Sequence, residues 1–141
     1  GLRALGTPCF IKCARGGYDG RGQFVADSAD DAEAAWAAIG ERACVVETQL
    51  KLAHELSVLI ARRPSGELRT FPIALNHHAE RVLRWSVLPA PEEVVPRALA
   101  AQIEGLAQDL ATTLRLEGLL AVELFLTERG ELFINELAAR P

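Results

Sequence analysis

Methionine is missing from this sequence and lysine nearly so, Lys12 and Lys51 being the only two among fifteen basic residues. A lysine at a chemically apt position is therefore hard to read as surface filler. Cysteine is scarce and odd in number: Cys9, Cys13 and Cys44 cannot all pair, and the apolar text around them reads as strand. That excludes a disulfide-stapled miniprotein and points to a reducing, cytoplasmic setting. No second Cys or His pair stands at a zinc-like spacing, so no structural zinc is expected. Basic charge is short as well. Fifteen Lys+Arg against nineteen Asp+Glu leave a net charge of −4, with no surplus to track a nucleic-acid backbone. No apolar run approaches the roughly 20 residues that cross a bilayer, and no signal-like segment opens the chain. Neither nucleic acid nor membrane is expected as a partner. With no methionine, and with Gly1 opening on what reads as the middle of a domain, a piece of a longer protein is expected.

What is present is apolar material for a core: half of the 141 residues are hydrophobic and the mean hydropathy is +0.13. Residues 8–13 form a short β-leaning run, and the glycine-dense stretch after it suits only a loop. Gln23 restarts a strand to Ala26. Ser28 is placed to cap a helix with Asp30 and Asp31 in its first turn, Ala32, Ala35, Trp36 and Ile39 on its apolar face, and Gly40 at its end. Further strands are expected at 43–47, 54–62, 68–75, 82–88, 119–126 and 132–135, with a hairpin turn at 63–66. Leu56, Val58 and Ile60 share one face of the second of these, and Asn76, His77 and His78 fall in a polar break. Pro96 opens a long helix along which Leu99, Ile103, Leu106, Leu110 and Leu114 recur at helical spacing. One long helix among mostly antiparallel strands reads as α+β in two layers.

Four of the eleven glycines lie between Gly16 and Gly22, so the backbone there can turn several N–H groups toward an anion. Lys12, on the strand leading in, would offset polyphosphate charge. A hairpin tip with a solvent-facing lysine is the plainer alternative. If residues 119–136 close a hairpin at Arg129-Gly130, opposed residue numbers sum to 259, so Glu128 faces Glu131 and Glu123 faces Glu136. Glu123 sits in an apolar run, where a like charge opposite is costly. A divalent cation between the two carboxylates removes that cost, and hard oxygen ligands suit Mg²⁺ or Mn²⁺. A different register, or neutralising arginines, would remove the need for one. Glu47 and Glu55 flank a strand-to-strand crossing that could offer backbone groups to a flat ring and a carboxylate to ribose hydroxyls, or could be a solvated pair. Of two adjacent histidines on extended chain, at most one should serve a site.

The order Lys12, Gly16-Gly-Tyr-Asp-Gly-Arg-Gly-Gln23, Glu47, Glu55, Glu123 and Asn135-Glu136 resembles the nucleotide-binding core of the ATP-grasp superfamily. Within it the loop text is most similar to 5-(carboxyamino)imidazole ribonucleotide synthases, and Glu55-Leu-Ser57, Phe71-Pro72, Asn76-His77-His78 and Asn135-Glu-Leu-Ala138 extend the likeness over essentially the whole chain. The resemblance implies two α/β subdomains with the nucleotide held between them, a small one at 1–46 and a larger, C-terminally incomplete one at 47–141. It implies ATP phosphates on Lys12 and on Gly16, Gly17, Tyr18, Asp19, Gly20, Arg21, Gly22 and Gln23, with adenine at a hinge of Glu47, Thr48, Gln49 and Leu50. Glu55 would hold the ribose, His78 and Asn135 would lie at the nucleotide, and Glu123 and Glu136 would ligate Mg²⁺ or Mn²⁺. As a strand neighbour of Glu136, Asn135 should face away unless the strand kinks.

The implied activity belongs to purine biosynthesis: ATP phosphorylates bicarbonate to carboxyphosphate, whose CO₂ is captured by the amine of 5-aminoimidazole ribonucleotide. Arg140 would support the carboxyphosphate, and the full-length protein would be a cytoplasmic homodimer. The family carries Pro where Ala139 stands, a different text at 79–81, an N-terminal Rossmann-like domain, and a His-Asn-Ser-Gly-His stretch just beyond the position of Pro141. Another ATP-grasp carboxylate-amine ligase, or a nucleotide-binding fragment without catalysis, are the alternatives.

Overall fold

A computed structural model describes residues 8–15, 22–80 and 82–140. The chain divides into two units, one running to Leu50 and taking in 80–82, the other built from Lys51–Ala79 and from Leu83 onward. The boundary thus falls after Leu50 rather than after residue 46. The reason is pairing: Glu47 and Thr48 are the last rungs of a strand laid against Phe10 and Cys9.

The first unit is a three-stranded antiparallel sheet with a short helix. Strands β1 (Cys9–Cys13), β2 (Gln23–Ala26) and β3 (Cys44–Thr48) lie in the order β2-β1-β3. Alternation sends Cys9 and Ile11 inward, where they join Ala26, Ala35 and Ile39 in a small core, and leaves Lys12 on the other face. Ser28 opens a single 3₁₀ turn (Ala29–Asp31): its hydroxyl accepts from the Asp30 N–H, and the Asp31 carboxylate accepts from the Ser28 N–H at 2.8 Å. This reciprocal capping satisfies donors that the chain start would otherwise strand. Helix α1 (Ala32–Ala38) follows, and Gly40 takes the positive φ of +73° that ends it. Trp36 does not join the core. It is 44% exposed, whereas Ala35 is fully buried, because a seven-residue helix on three short strands seats only its small residues.

The second unit carries the larger sheet, in which β4 pairs antiparallel with β5, β6 and β8, and β8 with β9: β4 (Leu52–Arg62), β5 (Leu68–Thr70), β6 (Ala74–Ala79), β7 (Val82–Val87), β8 (Gly118–Thr127) and β9 (Leu132–Arg140). The order is β7-β6-β4-β8-β9, with β5 on the far end of β4. Helix α2 (Arg97–Thr113) packs on one face. Leu56, Val58, Ile60, Val122 and Leu124 meet Ile103, Ala107 and Ala111 there. The helix stripe is therefore centred on Ile103 and two alanines, which let the helix sit close to the sheet. Leu99, Leu106 and Leu110 flank it, and Leu114, at the C-cap, is 54% exposed.

Two strand expectations change. The segment 68–75 is not one strand, because Phe71, Pro72 and Ile73 break it into β5 and β6, and a proline has no N–H for the ladder. Asn76, His77 and His78 are not a break but the middle of β6, where alternation puts Asn76 and His78 on the face turned away from helix α2.

Candidate functional site

In the first unit, Lys12 lies opposite Gln23 on one side and Val45 on the other. Its Nζ reaches diagonally to a Glu47 carboxylate oxygen at 2.5 Å, with the lysine side chain 30% exposed. Sequence reasoning gave these two residues separate duties; the strand register makes them partners. Gly22 has φ +73°, and its carbonyl accepts the Cys13 N–H at 2.9 Å, so the root of the glycine loop is tied to the strand that bears Lys12. Gly16, Gly17, Tyr18, Asp19, Gly20 and Arg21 lie outside the described residues. Gln49 donates its N–H to the Pro8 carbonyl, which extends the β1–β3 ladder beyond Thr48. Only 49–51 separate β3 from β4.

In the second unit, the sheet face opposite α2 gathers the acidic residues. Glu55 is the fourth residue of β4 rather than its start, so pairing fixes its direction. Glu123 stands directly opposite Ser57 on one side and Glu136 on the other. The Glu123–Glu136 rung is the one expected, but the route to it differs. Thr127 and Glu131 close the turn, with Gly130 at φ +79°, so opposed numbers near the turn sum to 258 and Glu128 does not face Glu131. A register shift between Glu123 and Leu124 leaves Asn135 extra in β9 and restores the sum of 259. That shift is the kink on which Asn135 depended: two residues oppose one, so alternation no longer forces Asn135 away from Glu136. Arg140 stands opposite Leu119, two alternations along the same face from Glu136.

His78 comes to this face beside Glu55. Its Nδ1 lies 3.0 Å from a Glu55 carboxylate oxygen, out of line for a hydrogen bond and shut off from solvent. The contact becomes an ion pair when the imidazole is protonated. His77 points the other way and stacks on Trp85, ring centroids 4.6 Å apart. Glu55, Asn76, Trp85 and the three histidines His54, His77 and His78 line a cavity of about 280 Å³. Ser57, Asn76 and Ser86 form a hydrogen-bonded chain that sequence reasoning did not use. The available signal was spacing: Ser57 is two residues from Glu55 and Asn76 two from His78, hence on the same face.

Burial, reinforced by Glu136 and Glu55 and opposed by His78 and Arg140, raises the Glu123 carboxyl above the ordinary glutamate range. A half-buried carboxylate facing another carboxylate is relieved by a proton or by a cation beside it. Among the described residues no group of three or more His, Cys, Asp or Glu side chains forms a closed metal cage. Two opposed carboxylates instead suit Mg²⁺ or Mn²⁺, which keep positions for water and phosphate oxygens.

A family model described as an ATP-grasp domain matches residues 2–141. The chain belongs to the ATP-grasp family. N5-carboxyaminoimidazole ribonucleotide synthase of Bacillus subtilis is 43% identical over 140 residues, covering 99% of this chain and 36% of the relative. A crystal structure of the ADP complex of an N5-carboxyaminoimidazole ribonucleotide synthetase superposes with a TM-score of 0.87 at 39% identity, covering 99% of this chain and 36% of that one. Biotin carboxylase from Campylobacter jejuni reaches a TM-score of 0.88 at 17% identity, over 99% of this chain and 32% of its own, a likeness of ATP-grasp fold alone. The chain thus spans about a third of the length of the relatives it matches. Among the described residues no helix of this ATP-grasp chain is long and apolar enough to cross a membrane.

Proposed function

We propose that this chain is the nucleotide-binding core of an N5-carboxyaminoimidazole ribonucleotide synthase, an ATP-dependent carbon–nitrogen ligase that carboxylates 5-aminoimidazole ribonucleotide with bicarbonate in purine biosynthesis. The observation that carries the cation and nucleotide role is the Glu123–Glu136 rung, a pair of carboxylates that are costly without a cation between them. The likeness to the Bacillus subtilis enzyme over 99% of the chain supports the choice of acceptor. In the same reading the full-length protein works in the cytoplasm as a homodimer.

Each residue then has a physical task. Lys12 exchanges Glu47 for phosphate oxygens, a charge-assisted bond that a phosphate can make more than once. The N–H groups of 16–22 offer the charge-stabilising donors, and Gln23 stands at the loop's end beside Lys12. Residues 47–50 present extended backbone to the adenine ring. Glu55 accepts from ribose hydroxyls, with His78 against it to fix the carboxylate. Glu123 and Glu136 hold Mg²⁺ or Mn²⁺, with Asn135 beside them at the bulge. The divalent cation, when bound, neutralises phosphate charge and acts as a Lewis acid. Arg140 supplies a fixed cation toward the carboxyphosphate, since arginine stays charged and offers paired donors.

The test is ADP release from ATP by the protein given bicarbonate and 5-aminoimidazole ribonucleotide, each omitted in turn. Release that needs both supports the assignment. Release that follows another amine or carboxylate acceptor instead would place the chain in a different ATP-grasp ligase.

A further inference from the structure

The strands that carry Glu55 and His78, together with β7, carry a directional chain of hydrogen bonds. The Ser86 hydroxyl donates to the Asn76 side-chain oxygen at 2.7 Å, and the Asn76 amide nitrogen donates to the Ser57 hydroxyl oxygen at 2.9 Å. Ser86 is on β7, Asn76 on β6 and Ser57 on β4, so the chain runs across three adjacent strands toward the acidic face. It ends on a hydroxyl. A serine hydroxyl has two acceptor lone pairs and one proton, and the bond from Asn76 uses a lone pair.

Among the described residues the Ser57 hydroxyl makes only the bond from Asn76, and the register sets which side chains stand across from it. Ser57 is directly opposite Ala74 on β6 and directly opposite Glu123 on β8. Alanine offers no acceptor. Directly opposed side chains have Cβ atoms about 4.5–5.5 Å apart, within the reach of a glutamate arm. Bonds in one direction polarise one another, so Ser86 and Asn76 make Ser57 a better donor than an isolated serine.

We propose that Ser57, held by Asn76 and Ser86, is a positioning residue for the cation site, its hydroxyl turning to donate to one oxygen of the Glu123 carboxylate when the cation is bound, so that the other is presented to the metal. The proposal rests on the divalent-cation role given above to Glu123 and Glu136. Ser57 touches neither nucleotide nor metal in this account. Losing such an outer partner costs metal affinity about 10–100-fold.

The experiment measures Mn²⁺ affinity by electron paramagnetic resonance in the presence of a non-hydrolysable ATP analogue, beside the metal-free affinity for ADP. Thermal melting checks that each variant folds. Ser57→Ala should weaken Mn²⁺ binding by about tenfold and leave metal-free ADP affinity unchanged. Ser57→Thr, which keeps a hydroxyl on a residue suited to strands, should restore the wild-type value. Unchanged Mn²⁺ affinity in Ser57→Ala overturns the proposal, and so does a parallel loss of Mn²⁺ and metal-free ADP affinity, which would make Ser57 a packing residue. Wild-type protein that binds ADP but no Mn²⁺ with the analogue overturns the cation role itself, and the proposal with it.

Discussion

Glu123 and Glu136 face each other across β8 and β9, and the rung between them lies one residue out of step with the rungs nearer the turn because Asn135 is accommodated as an extra residue. Two carboxylates on one rung repel, and directly opposed like charges are destabilising by roughly 0.2–1 kcal/mol. Glu123→Gln should therefore leave the nucleotide-free protein as stable as wild type, or more stable by up to about 1 kcal/mol at neutral pH. It should at the same time weaken Mg²⁺-dependent nucleotide binding by at least about tenfold, the low end of what loss of an outer-shell partner alone costs a metal site.

The pH dependence of stability carries the same signature. Glu123 binds its proton more tightly folded than unfolded, so the folded state holds more protons through this window and stability falls as pH rises. The penalty is absent below the ordinary value of 4.5 and complete above the raised folded value. Chemical denaturation of Glu123→Gln across that range, compared with wild type, should show this part of the slope removed. An identical slope in the two proteins would mean that Glu123 is not the group responsible.

Lys12 offers a contrast between stability and binding. Its pair with Glu47 is partly exposed, 30% and 45% for the two side chains, and pairs in such settings contribute about 0–1 kcal/mol. Lys12→Ala should thus shift the melting curve little. A charged hydrogen bond to phosphate is worth about 1.5–3 kcal/mol, so nucleotide affinity should drop roughly 10–100-fold. A variant that loses stability but keeps its nucleotide affinity would make the lysine a structural residue.

Ser28 predicts the reverse pattern. Its capping box starts the turn before α1, and replacing such a cap with alanine costs about 1 kcal/mol. Ser28→Ala should lower the denaturation midpoint and leave the nucleotide affinity of the folded protein unchanged, as measured by titration at a temperature well below melting.

Much of this architecture was legible because alternation and helical spacing are strong signals. The buried face of β4 and the long helix follow from them. What failed did so for local reasons. The assumed turn at Arg129-Gly130 had one residue too few in its loop, and the bulge at Asn135, which no composition marks, cancelled that error. Trp36 and Leu114 were counted as core because they are large and apolar, although the helix supporting the one is short and the other lies past a helix end. Asn76 and His78 are polar enough to read as a loop, and only the place of β6 between β4 and β7 shows them as strand. The Lys12–Glu47 contact and the Ser86–Asn76–Ser57 chain join residues distant in sequence, which spacing along one strand cannot reveal.

The most direct test of the central claim is calorimetric titration of the protein with a non-hydrolysable ATP analogue, with and without Mg²⁺, on wild type and Glu123→Gln. Binding that Mg²⁺ strengthens in wild type, with that gain lost in Glu123→Gln, is the predicted result. A folded protein that binds no analogue, or binds it equally well with and without Mg²⁺, would contradict the assignment of a metal-nucleotide site to this chain.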